Sequence, residues 1–154
     1  MSDNTTALMS MKLPELKKLA AEAGVAGKAN FIKADIFESD YSQATVITMY
    51  LLPQLNLKLR PKILDLKAGT RIVSHAFTMG DWEPDERAEV EGRTAMLWIV
   101  PAKVDGTWKM GQGELLLSQS FQMVTGTLKT GNKSIPYVAQ ENKIVMPAKF
   151  SPAQ

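Results

Sequence analysis

One segment restricts the fold of this chain more than any other. Residues Ala44–Leu52 read ATVITMYLL, a nearly continuous apolar stretch rich in β-branched and aromatic residues. Such a run suits a strand buried on both faces, as in a parallel sheet. Pro53 stops it. Leu55, Leu57, Leu59, Ile63, Leu64 and Leu66 then recur at roughly helical spacing, interrupted by Pro61, and Gly69 marks the helix end. Arg71–Phe77, RIVSHAF, is a second strand of the buried type. Strand, helix and strand within about 35 residues predict a βαβ crossover.

The flanks follow different patterns. Leu13, Leu16, Leu19, Ala20 and Ala23 share one helical face; Pro14 suits the first turn and Gly24 a position just past the end, so a helix is expected over 13–23. Asn30–Ala34 is a short β-prone run ending at Asp35. Glu83–Glu91 is acidic and reads as solvated. Thr94–Val100, Thr107–Met110, Glu114–Ser120, Phe121–Leu128, Ser134–Val138 and Lys143–Met146 are short β-type runs. Turn residues at Asp105-Gly106, Gly111–Gly113 and Thr130–Asn132 separate several of them, which predicts an antiparallel meander. The expected fold class is α/β, with residues 1–92 forming the α/β region and 93–154 the β-rich part.

Composition closes off several chemistries. The 154 residues contain no cysteine and a single histidine, which excludes disulfides, thiolate nucleophiles and His-rich metal sites. A formal net charge of +2 gives no field strong enough to draw nucleic acid or anionic lipid, so neither is an expected partner. The basic residues Lys58, Arg60, Lys62, Lys67 and Arg71 read as a solvated helix face. No secretory leader is evident and no run reaches the roughly 20 apolar residues of a membrane span. A soluble cytoplasmic protein is expected.

Buried parallel strands place ligands at their carboxyl ends, and three such points qualify. Asp35, with Ile36 and Phe37, follows the first run; its carboxylate either caps a turn or accepts from the amino group of a planar heterocycle. Tyr50, Leu51, Leu52 and Pro53 follow the second. Ser74, His75, Asp81 and Trp82 follow the third. His75 is either a structural histidine or a general base, with Asp81 or Asp85 as candidates to orient it. Trp82, between Gly80 and Pro84, either covers the sheet end or forms a wall for substrate. Met110–Gly113 holds two glycines, but no helix follows, so it reads as a hairpin turn rather than an anion site.

Several blocks in one order carry a resemblance: Phe31–Glu38, Ala44–Pro53, Leu59–Ile63, Gly69–Phe77 and Gly80–Trp82. Together they resemble bacterial class I S-adenosylmethionine-dependent methyltransferases, whose more distant relatives include lysine methyltransferases acting on a small membrane component of ATP synthase. The resemblance spans about residues 12–110. It implies an incomplete Rossmann-like sheet with S-adenosylmethionine as cofactor and an acceptor it does not specify. Asp35 matches the acid that contacts the adenine amino group, and Ile36 the residue packed on the ring. Tyr50, Leu51 and Leu52 match the segment lining the methyl-transfer site. His75, Asp81 and Trp82 match a neighbouring loop, with His75, Asp81 and Tyr50 the catalytic candidates and Trp82 the substrate-side one.

Such enzymes begin with a strand, a glycine-rich turn and a helix, then a second strand ending in an acid that holds the ribose. Here the Leu13–Ala23 helix resembles the one after that second strand, and the twelve residues ahead of it hold no glycine. Losing two or more charge-assisted hydrogen bonds, at about 1.5–3 kcal/mol each, weakens binding at least about a hundredfold. The expectation is therefore a methyltransferase-like protein with weakened or lost cofactor binding, or else a non-catalytic assembly module derived from one. Removing two central strands would also leave raw strand edges, so a homo-oligomer is expected.

Overall fold

The computed structural model describes residues 12–111, 113–140 and 143–145. The chain falls into two compact units divided between Asp40 and Tyr41. In the first, α1 (Leu13–Glu22) starts with the Lys12 amide donating to Glu15 Oε2 at 2.6 Å. It ends in a Schellman motif: Val25 N donates to Ala20 O at 2.9 Å and Gly24 N to Ala21 O at 3.0 Å. Gly24 makes that reversal at φ +68°, which a residue with a Cβ adopts only at a cost.

The strand expected over Asn30–Ala34 does not form. Residues 30–35 carry no regular structure, and Ile32 is 73% exposed. A β-prone run becomes a strand only when a neighbour completes its ladder, and no strand pairs with it among the described residues.

The second unit opens with the predicted crossover. Strand β1 (Val46–Met49) is followed by α2 (Pro53–Leu64) and β2 (Arg71–His75), and the two strands pair in parallel from Val46↔Arg71 to Met49↔Ser74. Pro53 occupies the first helical position, where its missing N–H is harmless. Asn56, Leu59 and Ile63, spaced three and four apart, form the buried face of α2. Pro61 lies inside the helix on its exposed side, so the carbonyl of Leu57 loses its donor where water can replace it.

Strand β1 is not buried on both faces as expected. Val46 is 44% exposed and Thr48 is also exposed, while Met49 is buried. Double burial needs cover on both faces of the sheet, and α2 is the one helix of this unit among the described residues.

The run Glu83–Glu91, expected to be solvated, contains a strand, β3 (Glu86–Val90), with all five side chains exposed. It pairs antiparallel with β4 (Arg93–Ile99) through the two-residue turn Glu91-Gly92, at φ +51° and +74°. Both angles being positive fits the right-handed twist of a hairpin. Strand β4 also pairs antiparallel with β2, giving a mixed sheet in the order β1-β2-β4-β3. Ile72, Met96, Trp98 and Val100 form its core with Leu59 and Ile63 of α2. Full burial of each such side chain stabilises by about 1.5–3 kcal/mol.

The antiparallel meander begins at Gly106, because Arg93–Ile99 belongs to the first sheet. It comprises β5 (Gly106–Met110), β6 (Gly113–Ser120), β7 (Met123–Thr130), β8 (Lys133–Gln140) and β9 (Lys143–Val145), paired in sequence order. Phe121, expected within a strand, instead occupies the β6–β7 turn at φ +53°. Among the described residues no helix is long and apolar enough to cross a membrane.

Candidate active site at the ends of two parallel strands

The carboxyl ends of β1 and β2 bring together two of the three predicted points. Tyr50 lies just beyond β1 and His75 closes β2; their rings are 4.6 Å apart, tilted by 55°. Phe77 stacks on the other side of the cluster, 5.7 Å from Tyr50 at 18°. Parallel pairing of Met49 with Ser74 sets this meeting, since the next residue of each strand emerges at the same end. Tyr50 is 46% exposed and Leu52 58%, Leu51 and His75 are half-buried, and the cluster offers a partly apolar surface to solvent.

Backbone strain marks the same place. Ala76 sits at φ +64°, a left-handed conformation uncommon for a residue with a Cβ. Buried Ser74 donates its hydroxyl to Phe77 O at 2.7 Å, and Ala76 N donates to Thr94 O at 2.9 Å. From α2, the buried Asn56 donates through Nδ2 to Phe77 O at 3.3 Å and Thr78 O at 3.1 Å. Arg60 donates to Met79 O at 2.8 Å and also pairs with the Asp81 carboxylate. A loop leaving a strand end is thus held by three polar side chains.

Neither carboxylate named as a candidate to orient His75 bonds to it. Asp81 is engaged by Arg60, and Asp85 accepts the Ile99 amide at 2.6 Å. No carboxylate bonds to His75 among the described residues. The Arg60 hydrogen bond, with a backbone hydrogen bond, holds the Asp81 carboxyl below the usual aspartate range. Asp81 is therefore an anion at neutral pH.

Trp82 is fully buried. Its ring stacks on Phe121 at 5.9 Å and 14°, and lies 6.3 Å from Trp98, whose Nε1 donates to Trp82 O at 2.8 Å. A ring without accessible surface forms no substrate wall, so the covering role, the other option, is the one its geometry fits. An apolar ring flanked by Gly80 and Pro84 fits either role in sequence; the deciding partner, Phe121, is far along the chain.

Asp35, in the first unit, makes an Asx turn: Oδ1 accepts the Phe37 amide at 2.7 Å, and its carbonyl accepts from the Ser39 hydroxyl at 2.6 Å. Its side chain is exposed, and Ile36 beside it is half-buried. Sequence reasoning overlooked Asn56 and Arg60. Arg60 reads as part of a solvated basic face, yet only 22% of its side chain is exposed. An asparagine at the buried spacing of an otherwise leucine-rich helix face was the available signal for Asn56.

Known proteins share this region. A protein-lysine N-methyltransferase from Saccharolobus islandicus (strain REY15A) is 44% identical over 82 residues, covering 50% of this chain and 51% of that protein. An ATP synthase lysine N-methyltransferase from Mus musculus is 31% identical over 67 residues, covering 43% of this chain and 27% of that one. The chain thus spans about half the length of the first relative and about a quarter of the second. Among solved structures, an RNA methyltransferase from Salinibacter ruber, in complex with S-adenosyl-L-homocysteine, superposes with a TM-score of 0.55 at 48% identity, covering 57% of this chain and 58% of that one. Residues 7–86, just over half of the chain, match the ANTKMT methyltransferase domain, and the chain belongs to that family.

Proposed function

We propose that the chain is an S-adenosylmethionine-dependent methyltransferase-like protein. The observation that carries this reading is the meeting of Tyr50 and His75 at the ends of two adjacent parallel strands, inside the segment that matches the family. Ligands in α/β sheets gather at such ends.

The residues present fit the cofactor in part. In the first unit, taken by itself, Asp35 commits Oδ1 to its own turn, and its exposed carboxylate keeps Oδ2 as an acceptor of the kind an amino group needs, with Ile36 next in the chain. In the second unit, Tyr50, Leu51 and Leu52 supply apolar and aromatic surface at the end of β1. The bound cofactor would supply an electrophilic methyl group on a sulfonium. Tyr50 would orient the acceptor, and His75 would receive the proton that an ammonium acceptor sheds. Asp81, anionic and tied to Arg60, is a positioning residue for the loop.

A protein lysine is the acceptor favoured by both curated relatives, whereas the solved relative is an RNA enzyme. A second reading, a binding module without catalysis, draws on the His75 imidazole, which has no carboxylate partner among the described residues. Calorimetry with S-adenosylmethionine and S-adenosylhomocysteine tests the main reading. A Kd below about 100 μM, worth roughly 5.5 kcal/mol, supports it; absence of binding at millimolar ligand leaves the module. Incorporation of labelled methyl groups into protein rather than RNA would support the lysine acceptor.

A further inference from the structure

The β5–β9 meander lies beyond residue 86, where the family match ends. Its register sorts side chains onto two unlike faces. Trp108, Leu115, Leu128 and Ile135 are directly opposite one another across four strands. Leu117 and Val124, two residues along from Leu115 and four from Leu128, share their face, because side chains alternate with period two. Gly126 faces Leu117, whose Cδ2 lies 2.6 Å from where a Cβ would be. The opposite face carries Thr107, Lys109, Glu114, Ser118, Thr125 and Lys129 around Leu116.

Among the described residues this apolar face is only partly covered. Trp108 is 49% exposed, its ring held by Nε1 donating to Val104 O at 2.7 Å. Leu115, Leu117, Val124, Leu128 and Ile135 are half-buried, and no described side chain of β5–β8 reaches the burial of the first sheet's core. An antiparallel sheet with one apolar face is stable when that face packs on another layer.

We infer that the second layer is the same face of a second copy of this chain, giving a two-fold sandwich of meanders. Three considerations favour that occupant. The six side chains named are all uncharged, and by register the face carries a lysine, Lys133, at its rim beside Ile135, whereas Lys109 and Lys129 lie on the other face; one cation per copy is too few to hold nucleic acid. An isologous pairing sets the Trp108–Ile135 row against itself with the spacing of aligned sandwich sheets, about 10 Å. The five strands, of five, eight, eight, eight and three residues, at about 3.3 Å by about 4.8 Å per residue, present roughly 500 Å² per copy. The resulting total of about 1,000 Å² just reaches what a biological interface needs, as befits a dimer that dissociates on dilution.

Sedimentation equilibrium of the full chain tests this. The expected result is a mass that rises with concentration toward twice 17.0 kDa. Leu128→Glu should raise the dimer dissociation constant at least about tenfold, and Thr127→Glu, on the opposite face, should leave it within about twofold. A second readout needs no variant. Trp82 and Trp98 are buried and Trp108 is half-exposed, so acrylamide quenching of tryptophan should fall as the chain dimerises. A monomer at all concentrations, a dimer indifferent to Leu128→Glu, or quenching that does not change with dimerisation would each overturn the inference. None of these readouts involves the cofactor, so they stand or fall separately from the proposed activity.

Discussion

Replacing Asn56 by aspartate separates the value of its donors from the value of its shape. Asn56 is fully buried, and its Nδ2 holds the carbonyls of Phe77 and Thr78 at 3.3 and 3.1 Å. Aspartate is nearly isosteric but places an oxygen against those two carbonyl oxygens. Each buried acceptor left unsatisfied costs about 1–3 kcal/mol, and a buried carboxylate adds more. Alanine loses the same donors but also removes Oδ1, which has no partner. Asn56→Ala should therefore cost about 1–3 kcal/mol and Asn56→Asp more than about 3 kcal/mol. Against a total stability of about 5–15 kcal/mol, that is a substantial share.

Urea denaturation followed by circular dichroism is the assay. With m of about 1–3 kcal/mol per molar, the alanine variant's midpoint should fall by roughly 1 M and the aspartate variant's by more. The pH dependence has a definite sign. Burial raises the introduced carboxyl's folded pKa above its unfolded value, so the folded state binds more protons between the two. The aspartate variant should lose stability relative to wild type as pH rises from the unfolded pKa to the folded one, and regain it on acidification. An aspartate variant as stable as the alanine one, with a flat pH response, would refute the claim that Asn56 works as a donor to this loop.

Other expectations are as direct. Arg60→Gln should return the Asp81 carboxyl toward the ordinary aspartate range, read by carbon-detected NMR titration; an unmoved midpoint would mean that Arg60 is not the cause. The wild-type pair's contribution should be present above the unfolded aspartate pKa and fade as pH falls through the depressed one. Phe121→Ala, which strips the stacked partner from Trp82 and the ring beneath Arg60, should cost about 3 kcal/mol and red-shift tryptophan emission, whereas Phe121→Asn should recover a little by accepting the positive φ. Gly80→Ala should destabilise by at least about 1 kcal/mol, because Gly80 sits at φ +72° with the Leu57 Cδ2 only 2.6 Å from where the Cβ would be; a neutral outcome in thermal melts would show that the loop yields freely.

The βαβ crossover was legible because its signals are local. An apolar run, a proline at a helix start and a glycine past its end each act within a few residues, and β1, α2 and β2 formed where these signals lay. Strand type proved less legible than strand position. Val46 and Thr48 are exposed because burial depends on what covers a face, which the run itself does not encode. Likewise Asn30–Ala34 has strand-like residues but no neighbour, and Glu86–Val90 has charged residues yet pairs because β4 turns back beside it. At the site, chain order pointed to Tyr50 and His75 through the strand ends. Asn56 and Arg60 were missed because their partners, Phe77 to Asp81, lie a crossover away, and hydrogen bonds to carbonyls leave no mark in side-chain composition.

The most direct test is to titrate isotopically labelled chain with S-adenosylhomocysteine and follow each backbone amide. Saturable shifts concentrated at Tyr50, Leu51, Leu52 and His75 are the predicted result. Amides that stay put at millimolar ligand, or that move only in the β5–β9 meander, would contradict a nucleoside site at the ends of β1 and β2.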